Sequence, residues 1–447
     1  MQQEGARCIV YAVRSTVYRL SLLWYSKNYQ NSSLEEVDSR VIIVQKYGGS
    51  SVATSEKICN VAQRVAEAAK NAQVVVVISA MGDTTDDLIA MAKKVCALPE
   101  GREMDKLLAT GEMASSALLT MALQDIKVPA VSLTGGQAGV ITEKVPSKAR
   151  ILNIDPRRLK AELDSGKVAV VAGFQGITEN VSWADITTLG RGGSDTTAVA
   201  LAAALEADSC EIYTDVDGVY TCDPRVEPNA KKLDTISYEE MLEMAGAGAR
   251  VMHSRAVELG ELYNVDILVA NSRKCVPGTL IKKEDPSMEV RNPVRGIAHD
   301  TDIARLTVVA VPDQPGIAYQ IFHALADANI NVDVIVQNVS RDGATDLSFT
   351  VTIADLDRAR RVLEPVVKHI GASELLTDEN VAKISIIGTG IRSHPGYADK
   401  MFGALASEGI NIVSISTSEI RITCLIDKDK ANAAVRALHS AFELEKP

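Results

Sequence analysis

The chain has 447 residues, 46% hydrophobic and 23% charged, with a formal net charge of −11 at neutral pH. This is the balance of a globular protein long enough for about three domains; it excludes a disordered chain, and the acidic surplus argues against a nucleic-acid or anionic-membrane surface. The seven cysteines (Cys8, Cys59, Cys96, Cys210, Cys222, Cys275, Cys424) and six histidines are scattered without paired spacing, which points to reduced thiols in the cytoplasm with neither a disulfide frame nor a transition-metal site.

No apolar run reaches the roughly 18 residues that span a bilayer. Residues 1–40 carry Arg7, Arg14, Arg19 and Lys27 between apolar patches and are poor in acids before Glu35. A targeting peptide, an unstructured extension and a start codon placed too far upstream all suit them, and they are expected to lie outside the fold. The first clear strand is VIIVQK, Val41 to Lys46, followed by the glycine loop YGGSS and an amphipathic helix. VVVVISAM (Val74 to Met81), VPAVSLTG, VAVVAGFQG and CEIYTDVDG repeat the pattern of an apolar strand ending in small polar residues. Such runs suit a parallel sheet buried on both faces, with ligand loops gathered at one rim. Lys46, Ser79, Gly173, Arg191 and Asp215 are expected to share that rim.

The stretch TTLGRGGSDTTAVALAAALEAD, Thr187 to Asp208, sets Gly190, Gly192 and Gly193 around Arg191 and then supplies Ser194, Asp195, Thr196 and Thr197 before an alanine-rich run. Glycines allow close backbone approach, the Ser/Asp/Thr cluster suits N-caps, and the start of the buried helix that follows is an anion site. Arg191 adds a planar fork for a carboxylate or phosphate.

After GTLIKKEDP (Gly278 to Pro286) the strands begin to alternate, as in RLTVVAV and TDLSFTVTI, which suits a half-exposed sheet. An internal repeat appears at a constant offset of 80: Pro315, Gly316, Phe322, Leu325, Ile330 and Asn331 match Pro395, Gly396, Phe402, Leu405, Ile410 and Asn411. Each copy reads as strand, Pro-Gly turn, helix, strand.

Several chemistries are excluded by spacing. KYGGSS is not a P-loop, GAGARV (Gly246 to Val251) lacks the third glycine of a dinucleotide fingerprint, and DVDG (Asp215 to Gly218) lacks the remaining ligands of a calcium loop. What remains is a lysine at a strand end, two glycine loops and an arginine, the parts that phosphoryl transfer requires.

KYGGSS (46–51), SAMGDTTD (79–86), TGE (110–112), AGFQG (172–176), the GRGGSD string and TDVDGVYTCDPR (214–225) together resemble the aspartate kinase family, from about residue 41 onward, and the C-terminal repeats resemble its paired ACT modules. The resemblance implies an α/β fold: an amino-acid kinase (carbamate kinase-like) αβα sandwich over 41–283, a linker over 284–303, and two ferredoxin-like βαββαβ ACT domains over 304–378 and 379–447 whose boundaries interleave in some members. It implies phosphorylation of the aspartate side-chain carboxylate by ATP with Mg2+, the metal held by phosphates and water rather than by protein ligands. By resemblance, the catalytic residues are Lys46, Asp195 and Arg191. Aspartate is bound by Ser79, Thr85, Glu112, Arg191, Gly192, Gly193 and Ser194. ATP is held by Lys46, Tyr47, Gly48, Gly49, Ser50, Tyr213, Thr214, Asp215, Val219, Tyr220, Asp223, Pro224, Arg225 and Arg250. The last departs from the lysine common in the family.

No general base is implied, because the acceptor carboxylate is already ionised at neutral pH. Effector positions are Asp313, Gly316, Ala318, Asn331, Asp333, Gln337 and Asn338 in the first module and Asn411, Ile412, Thr417, Ser418 and Glu419 in the second, with lysine, threonine or both as effector. The resemblance further implies a homo-oligomer or an α2β2-type assembly through the ACT modules, with Met288 as a possible internal start of a separate regulatory subunit. A kinase of glutamate or acetylglutamate, and a non-catalytic amino-acid sensor, are the alternative readings; a fused dehydrogenase is excluded by the missing fingerprint.

Overall fold

The computed structural model describes residues 41–97, 99–179, 183–249, 251–284, 294–338, 343–391 and 395–446. The extension over residues 1–40, Arg250 and Met288 lie outside them. By contact density the described chain divides into two units, the first formed by 41–219, 232–241 and 251–284 and the second by 220–231, 242–249 and 294–446.

In the first unit β1 (Ile42–Tyr47) leads to α1 (Ser55–Ala68), β2 (Gln73–Ile78), α2 (Thr84–Val95), α3 (Gly101–Asp125) and β3 (Ala130–Leu133). The short strands β4 (Val140–Thr142) and β5 (Ile151–Ile154), helix α4 (Arg157–Asp164), β6 (Val168–Ala172), β7 (Gln175–Thr178) and β8 (Ile186–Thr188) follow. Then come α5 (Gly193–Leu205), β9 (Ser209–Thr214), β10 (Thr235–Ser237), α6 (Tyr238–Gly246), whose residues from Leu242 on belong to the second unit, α7 (Ser254–Tyr263), β11 (Ile267–Asn271) and β12 (Thr279–Lys282). The main sheet has eight strands in the order β10-β12-β11-β9-β1-β2-β6-β3, and β5-β4-β7-β8 form a second sheet.

The pleat distributes the sheet's side chains. Tyr47, Val74, Val76, Ile78, Val168 and Val170 join one cluster with Ile58, Val61, Ala62 and Val65 of α1 and Leu119 and Leu123 of α3. Positions 58, 61, 62 and 65 are one helical face, and Thr54 caps that helix by accepting from the Lys57 N–H at 3.3 Å. Lys46, between Gln45 and Tyr47, faces the other side. There α5 packs; residues 193–202 are all buried, as expected of a helix apolar all round.

In the second unit two four-stranded antiparallel sheets each carry two helices. The first orders β15-β16-β14-β17 from β14 (Ile303–Pro312), β15 (Asp333–Gln337), β16 (Ala344–Thr352) and β17 (Glu374–Asp378), with α8 (Ile317–Asp327) and α9 (Ile353–Ile370). The second orders β13-β18-β20-β19 from β13 (Gly296–Asp300), β18 (Val381–Ile387), β19 (Ser414–Thr417) and β20 (Arg421–Asp427), with α10 (Tyr397–Ser407) and α11 (Ala431–Ala441). The offset of 80 holds to the residue for α8 and α10, whose N-caps Gly316 and Gly396 both have a left-handed φ, 94° and 102°, as the Pro-Gly turn requires.

Here the linear reading of 284–303 as linker needs correction. Among the described residues the edge beside β18 in the second module's sheet is filled by Gly296–Asp300, which pairs antiparallel with β18. A strand from before the first module thus completes the second. The physical reason is the unmet edge of β18, whose N–H and C=O groups need a ladder partner.

Candidate functional site

The rim is set by register. Tyr47 stands opposite Ile78 and Tyr213, and Ile78 opposite Ala172. The next residues of three strands, Gly48, Ser79 and Gly173, therefore leave the sheet at one edge, beside Thr214, the last residue of β9. Gly49 belongs to a single 3-10 turn, Gly49–Ser51, whose first N–H groups have no intrahelical acceptor. A Cβ on Gly49 would lie 2.7 Å from the Ala80 carbonyl oxygen, so two rim turns press together only because this residue has no side chain.

Lys46 reaches α5. Its Nζ is 2.6 Å from Asp195 Oδ1, both side chains being 12% exposed. A Cβ on Gly48 would stand 3.5 Å from that Nζ, so the glycine leaves the ammonium open on its other side. The helix start differs from the expectation that Ser, Asp and Thr side chains cap it. Its N-cap is Gly192, at φ 69°, with no side-chain cap, and the polar residues lie inside the first turn. Thr196 and Thr197 donate back to the Gly192 and Gly193 carbonyls at 3.1 and 2.8 Å. Free N–H groups at Ser194 and Asp195 then remain for an anion. Gly173 abuts Ser194, a Cβ there meeting the Ser194 hydroxyl at 3.1 Å.

Arg191 is exposed and makes no hydrogen bond or ion pair among the described residues. Glu112 is the opposite case. It is mid-helix on α3 and 3% exposed; its Oε1 accepts the Ala80 N–H at 3.1 Å, and its Oε2 is buried without a partner. Burial raises its carboxyl pKa to about 7, against the smaller lowering effect of backbone hydrogen bonds. This orphaned acceptor fits a ligand ammonium. Thr85 lies at the second position of α2, partly buried.

The nucleotide candidates are dispersed. Tyr47 is fully buried, stacked on Tyr213 at 5.0 Å, with its hydroxyl donating to Gln45, so only its backbone is available at the rim. Ser50 and Asp215 are exposed, and the Thr214 hydroxyl donates to Asp215 at 3.2 Å. Val219 is withdrawn: it is 1% exposed, and its N–H and C=O are engaged by Thr279 Oγ1 and the Leu233 N–H. Tyr220, Asp223, Pro224 and Arg225 belong to the second unit.

In that unit a cavity of about 340 Å³ is lined by residues 311–318, Gln337 and Leu347. It gathers Asp313, Gly316, Ala318 and Gln337, while Asn331, Asp333 and Asn338 are not in its lining. Two effector candidates are already occupied by the chain. Asp333 pairs at 2.6 Å with Lys383, whose Nζ also donates to the Gly246 carbonyl, and the Ser418 hydroxyl donates to Glu243 at 2.7 Å. Asn411, Ile412, Thr417 and Glu419 lie in or beside β19 and the turn after it.

Three site neighbours carry no sequence signal. His253 fills the space a Cβ on Gly192 would need and has a buried Nδ1 without a partner; burial holds its pKa below the usual imidazole value. Asp105, fully buried, accepts from Ser147 and Thr188. Arg255 donates to the Leu189 and Ala149 carbonyls at 2.6 and 3.1 Å.

Residues 41–271 match the amino acid kinase family, and residues 306–365 and 384–442 each match an ACT domain. An aspartokinase of Mycolicibacterium smegmatis is 51% identical over 407 residues, covering 90% of this chain and 96% of the relative. An aspartate kinase of Pseudomonas putida is 51% identical over 408 residues, 91% and 98% of the two chains. Among solved structures, E. coli aspartokinase III in complex with aspartate and ADP (R-state) superposes with a TM-score of 0.77 at 26% identity, covering 90% of this chain and 99% of that one. The same enzyme in complex with lysine and aspartate (T-state) gives 0.69 at 25% identity, with the same coverage.

Proposed function

The chain belongs to the aspartate kinase family, and from that premise we propose that it transfers the γ-phosphoryl of ATP to the side-chain carboxylate of L-aspartate, giving 4-phospho-L-aspartate. The observation that carries this reading is the Lys46–Asp195 pair at 2.6 Å, where the end of β1 meets the start of α5.

Lys46 neutralises charge that gathers on the moving phosphoryl, and Asp195 holds its ammonium in place. Gly48, Gly49 and Ser50 offer backbone N–H groups to phosphate oxygens, and Tyr213, Thr214 and Asp215 flank the nucleotide. Arg191, free in this structure, takes the α-carboxylate with the free N–H groups of Ser194 and Asp195 at the turn shaped by Gly192 and Gly193, while the orphaned Glu112 oxygen takes the α-ammonium. Ser79 and Thr85 close the pocket. Catalysis is then placement and charge neutralisation, with no proton to remove.

We assign magnesium, as the resemblance implies, to nucleotide oxygens and water; among the described residues no three His, Cys, Asp or Glu side chains cluster. When bound, magnesium would withdraw charge from the phosphates.

Feedback control follows from the ACT modules. The 340 Å³ cavity beside the α8 N-terminus has the size and free N–H groups to take an amino-acid carboxylate; lysine, seen in the E. coli T-state complex, and threonine are the effectors we assign. Exposed Ile335, Leu376 and Ile415 on edge strands β15, β17 and β19 support assembly through the module edges.

The test is a hydroxylamine trap for acyl phosphate with aspartate and glutamate as rival acceptors, repeated with lysine and threonine. Hydroxamate from aspartate alone, suppressed by an effector, is expected; hydroxamate from glutamate alone refutes the assignment.

A further inference from the structure

Asp105 lies outside the set of residues that would touch substrate, yet its carboxylate is fully buried and accepts every hydrogen bond assigned to it. The Ser147 N–H donates to both oxygens at 2.9 Å and the Ser147 hydroxyl to Oδ1 at 3.3 Å. The Thr188 N–H donates to Oδ2 at 2.9 Å and the Thr188 hydroxyl to Oδ1 at 2.7 Å. One side chain thus ties together two segments more than 40 residues apart in sequence.

Both segments bear on Arg191. Thr188 ends β8, three residues before the arginine. Ser147 has a left-handed φ of 67°, a conformation that a non-glycine residue holds only when its surroundings fix it. Its carbonyl oxygen packs on Gly190, the residue before Arg191, where a Cβ would lie 3.0 Å away. The Ala149 N–H donates to the Thr188 carbonyl at 3.0 Å, and Arg255 bridges Leu189 and Ala149 from the far side. The arginine itself is left unpaired, but the backbone that presents it is clamped.

The other end of the device is Glu112. Seven residues after Asp105 on α3, it lies on the same helical face, about 10 Å along the axis at 1.5 Å per residue. At that level α3 is seated on the end of β2: Glu112 accepts the Ala80 N–H, and a Cβ on Gly111 would meet Ala80 Cβ at 2.9 Å. One rigid helix therefore carries both the ammonium-facing carboxylate and the anchor of the loop that offers the guanidinium.

We propose that Asp105 is a positioning residue for L-aspartate: through Ser147 and Thr188 it sets the place of Arg191 relative to Glu112, and so the spacing at which an α-carboxylate and an α-ammonium are gripped together. The proposal rests on the assignment of Arg191 as the α-carboxylate clamp. It specifies that loss of Asp105 weakens recognition of the amino acid and spares that of the nucleotide.

The test is steady-state kinetics on the full chain with Asp105→Asn, Thr188→Val, Arg191→Ala and the Asp105→Asn/Arg191→Ala pair. Asparagine places donors against the Ser147 and Thr188 N–H groups, and valine removes only one hydroxyl bond. Asp105→Asn is expected to raise the KM for aspartate about tenfold or more, and Thr188→Val about threefold, with the KM for MgATP changed less than about twofold. In the Arg191→Ala background Asp105→Asn should add less than about twofold, because two residues acting through one contact are not additive. Equal rises in both KM values, or a full additive effect on top of Arg191→Ala, overturn the proposal. An unchanged aspartate KM in Arg191→Ala alone removes the clamp assignment, and the positioning role falls with it. Should Asp105→Asn fail to fold, Thr188→Val decides: an unchanged aspartate KM refutes the role.

Discussion

Replacing Glu112 by glutamine should make the protein more stable at pH 8 relative to pH 5 while weakening its hold on aspartate. Burial lifts the Glu112 carboxyl from its ordinary 4.5 to about 7. The unfolded chain loses this proton near 4.5 and the folded chain near 7, so between those values the folded state binds more protons and stability falls as pH rises. Over that window the group costs about 3 kcal/mol, taking 1.36 kcal/mol per pH unit; with the residue only 3% exposed, solvent screening removes little of it. Glutamine cannot titrate, so this part of the pH dependence should vanish. Its absolute stability also carries about 1–3 kcal/mol for a buried amide donor facing the place of the unpaired Oε2, which is why the difference between two pH values is the clean observable. Bound aspartate should act as glutamine does on this slope, its ammonium favouring the ionised carboxylate, and binding should release a proton near pH 6.5. Urea melts of wild type and Glu112→Gln at pH 5 and 8, with calorimetry of aspartate binding in buffers of different ionisation enthalpy, measure both. Parallel pH profiles for the two proteins, or proton-neutral binding at pH 6.5, would refute the reasoning.

Gly49→Ala puts a Cβ 2.7 Å from the Ala80 carbonyl oxygen; opening the two rim turns should cost about 1–3 kcal/mol and raise the KM for MgATP, as melts and kinetics on one sample will record. Lys383→Met strips the Gly246 carbonyl and Asp333 of a cation 3% exposed; since Asp333 is half in solvent, the loss should be about 1–3 kcal/mol rather than that of a wholly buried pair, read from denaturant midpoints. Gln337→Ala, in the lining of the second unit's cavity, should shift inhibition by lysine or threonine to higher concentration, with kcat in the absence of effector held within about twofold; unchanged inhibition by both places the effector elsewhere.

Much of the fold was legible because its signals are local. The continuous apolar runs gave the parallel strands, and the offset of 80 gave two modules whose helices start on matching glycines. The strand Gly296–Asp300 was not legible, since GIAHD has neither alternation nor a turn next to its partner; only the open edge of β18, distant in sequence, calls for it. The rim residues Lys46, Ser79, Gly173 and Asp215 could be listed together from strand ends alone. The contacts of Asp105, Arg255 and His253 could not, because each depends on loops meeting across more than 60 residues in the case of Arg255 and Leu189, and a carboxylate in a helical stretch such as REMDK reads as solvated. Tyr47 and Val219 show the converse: the motif names a position, but the pleat of β1 turns the Tyr47 side chain into the core, and Val219, outside any strand, is buried as its backbone is held by Thr279 and Leu233.

The central claim is that the Lys46 cation serves the transfer step rather than the binding of aspartate, and the most direct measurement is γ-phosphate transfer from labelled ATP beside calorimetric aspartate affinity in Lys46→Met. Turnover lowered at least about a thousandfold, with aspartate affinity within about threefold of wild type, is the expected pair of results. Labelled phosphoaspartate formed at an undiminished rate would contradict the account.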